Sequence, residues 1–153
     1  MTDLILDTSV LSRFAPGKHP PIDGEILADL RATEDDWRVP TIVVAEIAAG
    51  IAKLRRAGGE ARAALLDAWL TETIVVFADR ILPLTTEIAV ETGRLHDDLR
   101  ARGRHPGLSD VVIAASAAAS GGVVLTRNIR HFHPAGVRCL DPFEPGFLAA
   151  LRG

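Results

Sequence analysis

The amino-acid sequence predicts an α/β fold with a central, mainly parallel sheet of about five strands covered by helices. Short apolar runs alternate along the chain with longer segments of helical periodicity, an order typical of parallel sheets. Glycine and proline clusters fall between these segments rather than inside them. The chain has 153 residues, no repeat and no linker long enough to divide it, so we expect a single domain over residues 1–153.

The predicted elements follow one another in a regular order. The strands are short apolar runs bounded by turn residues, at Leu4–Leu6, Trp37–Val39, Ile81–Leu84, Val123–Leu125 and Val137–Leu140. The helices are longer segments with apolar residues at helical spacing, at about Gly24–Thr33, Ile42–Ala57, Glu60–Thr73, Glu87–Ala101 and Asp110–Ser120. Helices run antiparallel to the strands in such a fold, so helix N-termini collect at the carboxyl edge of the sheet, where ligands bind.

The charge balance excludes one class of function. The chain has 17 Lys and Arg against 20 Asp and Glu, a formal net charge of −3. This balance argues against a protein that grips nucleic acid by bulk positive charge. An enzyme whose positive charge is local remains compatible with it.

Cysteine content and hydropathy indicate the compartment. Cys139 is the only cysteine, so neither an intrachain disulfide nor a zinc site with several cysteines can form. No leader-like segment precedes the first strand, and the most apolar stretch, Val111 to Leu125, is interrupted by serines and glycines. We therefore expect a cytoplasmic protein without a membrane segment.

Three carboxylates map to the carboxyl edge of the predicted sheet. Asp7 closes the first strand, Glu46 lies in the first turns of the helix after the second strand, and Asp110 begins the last long helix. Each also has a purely structural interpretation. Asp7 could cap a short helix, Glu46 could belong to a solvated helix face, and Asp110 could favour a helix dipole.

Convergence of these acids would have a chemical consequence. Clustered carboxylates repel one another unless a cation joins them or one of them is protonated. Asp110 precedes a helix that is apolar from residue 111 to residue 119 except for Ser116, so its charge would be partly desolvated. Oxygen ligands suit Mg²⁺ or Mn²⁺, which bridge to phosphate oxygens. The residues alone predict a divalent-metal site for a phosphate-containing substrate.

Four motifs in order carry a family resemblance, namely Leu6-Asp7-Thr8-Ser9, Val44-Ala45-Glu46-Ile47 with Gly50, Ser109-Asp110-Val111-Val112-Ile113-Ala114-Ala115, and Leu125-Thr126-Arg127-Asn128-Ile129-Arg130-His131-Phe132. By these motifs the sequence resembles the PIN-domain family, and within it the VapC-type ribonuclease toxins of bacterial type II toxin–antitoxin pairs. The resemblance implies a three-layer α/β/α sandwich and an Mg²⁺- or Mn²⁺-dependent endoribonuclease that cleaves RNA with a metal-activated water. It also implies a homodimer and a cognate antitoxin protein that occludes the site.

The resemblance also assigns site residues. Asp7, Glu46 and Asp110 match acidic positions that hold one or two metal ions and act in catalysis, and Ser9 matches a small polar position that supports Asp7. The family often has a fourth acid where this sequence has His131. Asn128 could supply an oxygen in its place, so the number of ions stays open.

Two further surfaces are candidates for contacts with partners. Arg127 and Arg130 follow the fourth strand at the carboxyl edge, and we interpret them as contacts to RNA phosphates. The helix near residue 65 has an apolar strip that could bind a second copy or an antitoxin helix, although the same pattern describes ordinary core. The strip consists of Leu65, Leu66, Trp69 and Leu70.

Other functions compete with the ribonuclease interpretation. A non-catalytic PIN-like module, binding RNA or regulating another protein through an incomplete metal site, is the alternative that His131 favours. A phospho-receiver is disfavoured because Asp7 has no adjacent acidic partner and no lysine follows Lys53. A phosphatase with an Asp-x-Asp nucleophile is disfavoured because Ser9 occupies the second position.

Overall fold

The computed structural model describes residues 2–153, and over this range it contains five strands and eight α-helices. The strands are β1 (Leu4–Leu6), β2 (Trp37–Pro40), β3 (Ile81–Leu82), β4 (Val123–Leu125) and β5 (Cys139–Leu140). The helices are α1 (Thr8–Leu11), α2 (Gly24–Thr33), α3 (Thr41–Arg56), α4 (Glu60–Val76), α5 (Thr86–Ala101), α6 (Leu108–Ser120), α7 (Ile129–Phe132) and α8 (Phe147–Arg152). Short 3₁₀ helices occupy Ser12–Phe14, Glu34–Asp36, Ala78–Arg80 and His133–Ala135.

The strands form one parallel sheet in the order β3-β2-β1-β4-β5. Leu4 pairs with Trp37 on one side and with Val123 on the other, so β1 lies at the centre. All three residues of β1 are buried, and so are all three of β4. Because successive side chains of a strand point to opposite faces, both faces of the sheet are covered. The predicted parallel sheet and α/β/α layering are confirmed.

Helices α3 and α6 pack so that their N-terminal turns reach the carboxyl ends of the central strands. Helix α6 packs against β1 and β4, and its residues 111–117 are buried, as the apolar run predicts. Helix α3 packs against β2 and α6. No helix in residues 2–153 is long and apolar enough to cross a bilayer.

The structure differs from the sequence-based elements mainly at short segments. Helices α7 and α8 are not predicted, and α1 is anticipated only as the short helix that Asp7 could cap, because four to six residues are too few to display a helical period. Strand β3 ends at Leu82 rather than Leu84, and α4 continues to Val76 rather than ending at Thr73. Helix α6 begins at Leu108, so Asp110 lies inside its first turn rather than at its start.

Candidate active site

Asp7 is a buried carboxylate held by three donors. It follows β1 and caps α1, where its Oδ1 accepts a hydrogen bond of 2.8 Å from the backbone N–H of Thr8. Its Oδ2 accepts bonds from the hydroxyls of Ser9, at 2.7 Å, and Thr126, at 2.8 Å. The side chain is 4% exposed, so its orientation is fixed by these contacts. Asp7 therefore caps helix α1 and also places a carboxylate at the carboxyl end of β1.

Glu46 links three elements at the same edge. It lies in the second turn of α3, and its side chain is half-buried. Its Oε1 accepts a hydrogen bond from the Thr8 hydroxyl at 2.7 Å, and its Oε2 accepts one from the Ser109 hydroxyl at 3.0 Å. The residue is not a freely solvated helix charge, because both oxygens are engaged by neighbouring elements.

The pKa of Asp110 is raised by the groups that surround its carboxyl. Partial burial is the largest cause of the increase, and the negative charges of Asp7 and Glu46 add to it. His131 opposes the increase, because its Nδ1 lies 3.2 Å from Asp110 Oδ2. The three predicted acids are therefore close enough to influence one another electrostatically.

The donor chemistry fits a divalent cation, although no closed ligand cage is formed. Among residues 2–153 no group of three or more His, Cys, Asp or Glu side chains is arranged to hold a metal ion. The carboxylate oxygens of Asp7, Glu46 and Asp110 instead face hydroxyl donors and His131. A bound cation would reduce the electrostatic repulsion through which Asp7 and Glu46 raise the pKa of Asp110. Mg²⁺ needs only one or two carboxylates because it keeps several waters.

The remaining predicted site residues have different environments. Ser9 contacts Asp7, and its oxygen accepts a hydrogen bond of 3.0 Å from the backbone N–H of Arg127. Asn128 is exposed, and its backbone N–H donates to the Thr126 hydroxyl at 2.9 Å. Its side chain makes no hydrogen bond with any residue in the range 2–153.

The arginine side chains differ in whether hydrogen bonds or salt bridges to neighbouring residues hold their guanidinium groups. The Arg127 guanidinium lies 5.9 Å from the centre of the Phe143 ring, and Arg130 lines a cleft beside Asp110. Arg138, by contrast, donates to backbone carbonyls at the end of α8. Arg55 pairs with Glu60 and Asp67 and is therefore engaged elsewhere.

Sequence reasoning missed three hydroxyl residues that hold the acids in place. Thr8 and Ser109 donate to Glu46, and Thr126 donates to Asp7. Every buried side-chain nitrogen or oxygen in the described chain has a hydrogen-bond partner, and these contacts contribute to that result. A signal was present, because Thr8 and Ser109 are sequence neighbours of Asp7 and Asp110, and Thr126 directly follows β4.

The predicted apolar strip on α4 is only partly exposed. Leu70 is buried in the core, whereas Leu65 is 63% exposed. The exposed apolar surface continues instead at the end of the helix, at Val75 and Val76. Beside it lies an apolar cavity of about 260 Å³, here called the Phe14 groove. The groove is lined mainly by Leu11, Phe14, Trp37, Trp69, Val76 and Phe77.

Comparison with known proteins gives consistent matches along the chain. Residues 4–136 match the PIN domain family, a range that includes all three carboxylates. The VapC ribonuclease Y4jK of Sinorhizobium fredii is 30% identical over 93% of this chain and 99% of its own length. Toxin FitB of Neisseria gonorrhoeae is 26% identical over 92% of this chain and 99% of its own length. The crystal structure of FitAcB from Neisseria gonorrhoeae has a TM-score of 0.74 at 26% identity, covering 92% of this chain and 99% of that chain.

Proposed function

Because the chain belongs to the PIN domain family, we propose that it is a metal-dependent endoribonuclease and the toxin of a VapBC-type toxin–antitoxin pair. The observation that carries the proposal is the convergence of Asp7, Glu46 and Asp110 at one edge of the sheet, where the first and second raise the pKa of the third. A relative named as a VapC ribonuclease and another named as a toxin support the same assignment.

The chain's own residues supply a rigid acidic site. Asp7, Glu46 and Asp110 would hold Mg²⁺ or Mn²⁺, as one or two ions. When bound, the cation would activate water and neutralise charge on the scissile phosphate. Hydroxyl donors hold the carboxylates of Asp7 and Glu46 in fixed directions. Preorganised carboxylates need little reorientation when substrate arrives.

Positive charge beside the acids would orient the RNA. Arg127 and Arg130 follow β4 at the same edge, and neither guanidinium forms a salt bridge with an acid in residues 2–153. We assign both to phosphate contacts, which position RNA without reading its sequence. His131 contacts Asp110, the backbone N–H of Asn128 donates to the Thr126 hydroxyl, and Ser9 fixes the Asp7 carboxylate.

A non-catalytic PIN-like module is the second candidate, and one observation favours it. The Nδ1 atom of His131 lies within hydrogen-bonding distance of an Asp110 carboxylate oxygen. His131 also takes the position in the sequence at which the family often has a fourth acid. If that contact replaces metal ligation, the domain would bind RNA or regulate another protein without cleaving it. Metal-dependent cleavage separates the two candidates directly.

Partners are part of the proposal. We assign the Phe14 groove to the cognate antitoxin, because an apolar groove bordered by exposed helix residues suits an amphipathic protein segment. We further propose that the toxin forms a homodimer and works in the cytoplasm, where its RNA substrate and its reduced Cys139 are both expected.

The central experiment measures cleavage of a mixed-sequence RNA by the purified protein with Mg²⁺, with Mn²⁺ and with EDTA. We expect cleavage with either ion, none with EDTA, and none for Asp7→Asn or Asp110→Asn. Asp97→Asn is the matched control, because Asp97 is an exposed acid on α5 that forms no salt bridge within the described residues. Thermal unfolding verifies that each variant is folded. Full cleavage by folded Asp7→Asn and Asp110→Asn proteins would overturn the site assignment, and RNA binding without cleavage would favour the second candidate.

A further inference from the structure

A second pocket, of about 330 Å³, lies between the turn before α2 and the segments that follow β4 and β5. Its walls combine two arginines, Arg13 and Arg127, with the aromatic ring of Phe143 and with apolar residues of the turn and of α2. We call it the Phe143 pocket. None of the three candidate acids lines it, and it shares no lining residue with the cleft that contains Asp110. It is therefore a cavity separate from the candidate active site.

The ring of Phe143 brings two positive groups to this pocket. The guanidinium carbon of Arg13 lies 5.9 Å from the centre of the ring, and that of Arg127 lies at the same distance. Cations at such distances are attracted to the face of an aromatic ring. The ring is itself supported, because it packs 6.1 Å from the Phe14 ring and the backbone N–H of Phe143 donates to Asp141 at 2.9 Å. One fixed aromatic group thus positions both guanidinium groups.

The apolar wall is held in place by hydrogen bonds within the turn before α2. The Arg13 guanidinium donates to the carbonyl oxygen of Pro20, and Nε2 of His19 donates to the carbonyl oxygen of Ala15 at 2.9 Å. Two successive prolines restrict the backbone of the turn further. The turn and α2 together present an apolar surface made of Pro20, Pro21, Ile22 and Ile26.

Positive charge exceeds negative charge in the lining. Neither Arg13 nor Arg127 forms a salt bridge with an acid in residues 2–153. Asp23 is the one acid among the described residues of the lining. Its Oδ1 caps α2 by accepting the backbone N–H of Glu25 at 2.8 Å, and a helix N-terminus offsets negative charge. The pocket is therefore suited to an anion.

The combination of charge and apolar surface selects a class of anion. Guanidinium groups recognise phosphate oxygens through paired N–H donors. A phosphate monoester carries about 1.5 to 2 negative charges at pH 7, which matches two arginines, whereas a carboxylate or an internal RNA phosphate carries one. The apolar wall suits a flat, weakly polar group joined to that phosphate. Small-molecule pockets begin at about 300 Å³, so the volume of this one admits a single nucleotide.

We propose that the Phe143 pocket binds a free nucleoside monophosphate, with Arg13 and Arg127 contacting its phosphate and the apolar wall contacting its base. This ligand site goes beyond the proposed ribonuclease function. Its effect on RNA cleavage rests on that function, because we assign Arg127 to an RNA phosphate. The backbone N–H of Arg127 also donates to Ser9, which in turn holds Asp7. A bound nucleotide therefore competes with RNA for Arg127 and inhibits cleavage.

Binding measured without metal or RNA tests the pocket separately from catalysis. The purified protein is titrated calorimetrically in EDTA with each of the four ribonucleoside 5′-monophosphates, with adenosine and with inorganic phosphate. At least one monophosphate should bind, and adenosine and phosphate should each bind about tenfold more weakly or less, because each lacks one half of the ligand. The absence of binding by all four monophosphates overturns the proposal. Equal affinity for adenosine or for inorganic phosphate also overturns it.

Substitution of the arginines tests the assigned contacts. Arg127→Ala and Arg13→Ala should each weaken nucleotide binding about tenfold, because each removes a charged hydrogen-bond donor. The Arg127 guanidinium forms no hydrogen bond within residues 2–153, so its removal leaves the bonds of the turn intact. Arg94→Ala is the matched control, since Arg94 is exposed on α5 and lines a different cavity. It should bind nucleotide normally, and thermal unfolding verifies that every variant is folded.

Photolabelling locates the bound base. Under ultraviolet light, 8-azidoadenosine 5′-monophosphate should label the tryptic peptide of residues 19–31, which contains the apolar wall. An excess of unlabelled adenosine monophosphate should suppress this labelling, and Arg127→Ala should reduce it. Suppressible labelling found only in other peptides would show that the nucleotide binds elsewhere.

The outcomes separate this proposal from the ribonuclease proposal. If nucleotide binds through Arg13 and Arg127 but the protein cleaves no RNA with Mg²⁺ or Mn²⁺, the ribonuclease proposal fails and the pocket stands. If the protein cleaves RNA, the nucleotide should raise KM for RNA without lowering kcat. Arg13→Ala should then cleave normally but escape this inhibition. Cleavage together with undiminished nucleotide binding by both arginine variants, or equally weakened binding by Arg94→Ala, overturns the pocket and leaves the ribonuclease proposal intact.

Discussion

At the scale of single residues, neighbouring hydroxyl groups determine how the three acids are presented. Thr126 is fully buried and donates to Asp7, and Ser109 joins the start of α6 to Glu46. Asp110 has no hydroxyl donor among the described residues and contacts His131 instead. Asp110 is accordingly the acid whose pKa is raised by burial and by its negative neighbours.

The raised pKa of Asp110 predicts a pH-dependent cost to stability. The folded state holds this proton more tightly than the unfolded state, whose pKa is near the ordinary value of 3.8. The free energy of unfolding therefore falls as pH rises from about that value through the raised pKa, and the penalty is complete above it. Asp110→Asn removes the penalty, while its amide oxygen can still accept a hydrogen bond from His131.

We expect Asp110→Asn to have a higher Tm than the unaltered protein in EDTA at pH 7, and the difference to shrink toward pH 4. A gain of 1 kcal/mol corresponds to about 2–4 °C for a chain of this size. Saturating Mg²⁺ should narrow the difference at pH 7, because a cation stabilises the ionised carboxylate. Thermal unfolding across pH, with Asp97→Asn as control, checks each point. A Tm difference that is constant across pH would contradict this account.

At the scale of elements, contact between β1 and β4 positions the site. The backbone N–H of Asp7 donates to Leu125 O at 2.9 Å, so the hydrogen-bonded ladder between β1 and β4 extends to Asp7. Gly122 precedes β4, and a Cβ atom there would lie 2.6 Å from the backbone oxygen of Asp3. The same Asp3 oxygen accepts the N–H of Val123 at 2.9 Å. Close backbone approach at the start of β4 therefore requires glycine.

Gly122→Ala should destabilise the protein by about 1–3 kcal/mol, since overpacking against backbone forces a shift of the strand. RNA cleavage should fall as well, because a displaced β4 moves Thr126 away from Asp7. Gly93→Ala is the matched control, since Gly93 lies within α5 and a Cβ there meets nothing within 4 Å. That control should gain about 0.5–1 kcal/mol from helix propensity. Urea unfolding gives both values, and a Gly122→Ala protein as stable as the control would refute the packing argument.

At the scale of the whole molecule, charge and apolar surface are distributed unevenly. The net charge is −3, and this excess of negative charge equals the charge of the three carboxylates that we assign to a cation. Arg104 and Arg130 line a cleft together with Asp110, while the Phe14 groove gives the molecule an apolar surface that shares no lining residue with this cleft.

The antitoxin assignment can be tested with two adjacent residues of α4. Val76 lines the Phe14 groove and is 63% exposed, whereas Val75 is 71% exposed and lies outside its lining. Val76→Lys should weaken binding of the proposed cognate antitoxin by at least about tenfold, or about 1.4 kcal/mol. Val75→Lys adds the same charge and should bind normally. Calorimetric titration of each purified variant measures the affinity, and equal affinities would show that the groove is not the antitoxin surface.

The sequence by itself determined the parallel α/β architecture and the three acids at its carboxyl edge, because apolar periodicity is a local property and strand ends in such a fold meet at one edge. Only the tertiary structure decided which groups hold those acids. Thr8 and Glu46 are 38 positions apart, and Asp7 and Thr126 are 119 positions apart, so their hydrogen bonds depend on the strand order β3-β2-β1-β4-β5. Arg102 likewise ties the end of α5 to Pro134, a contact that no sequence period encodes.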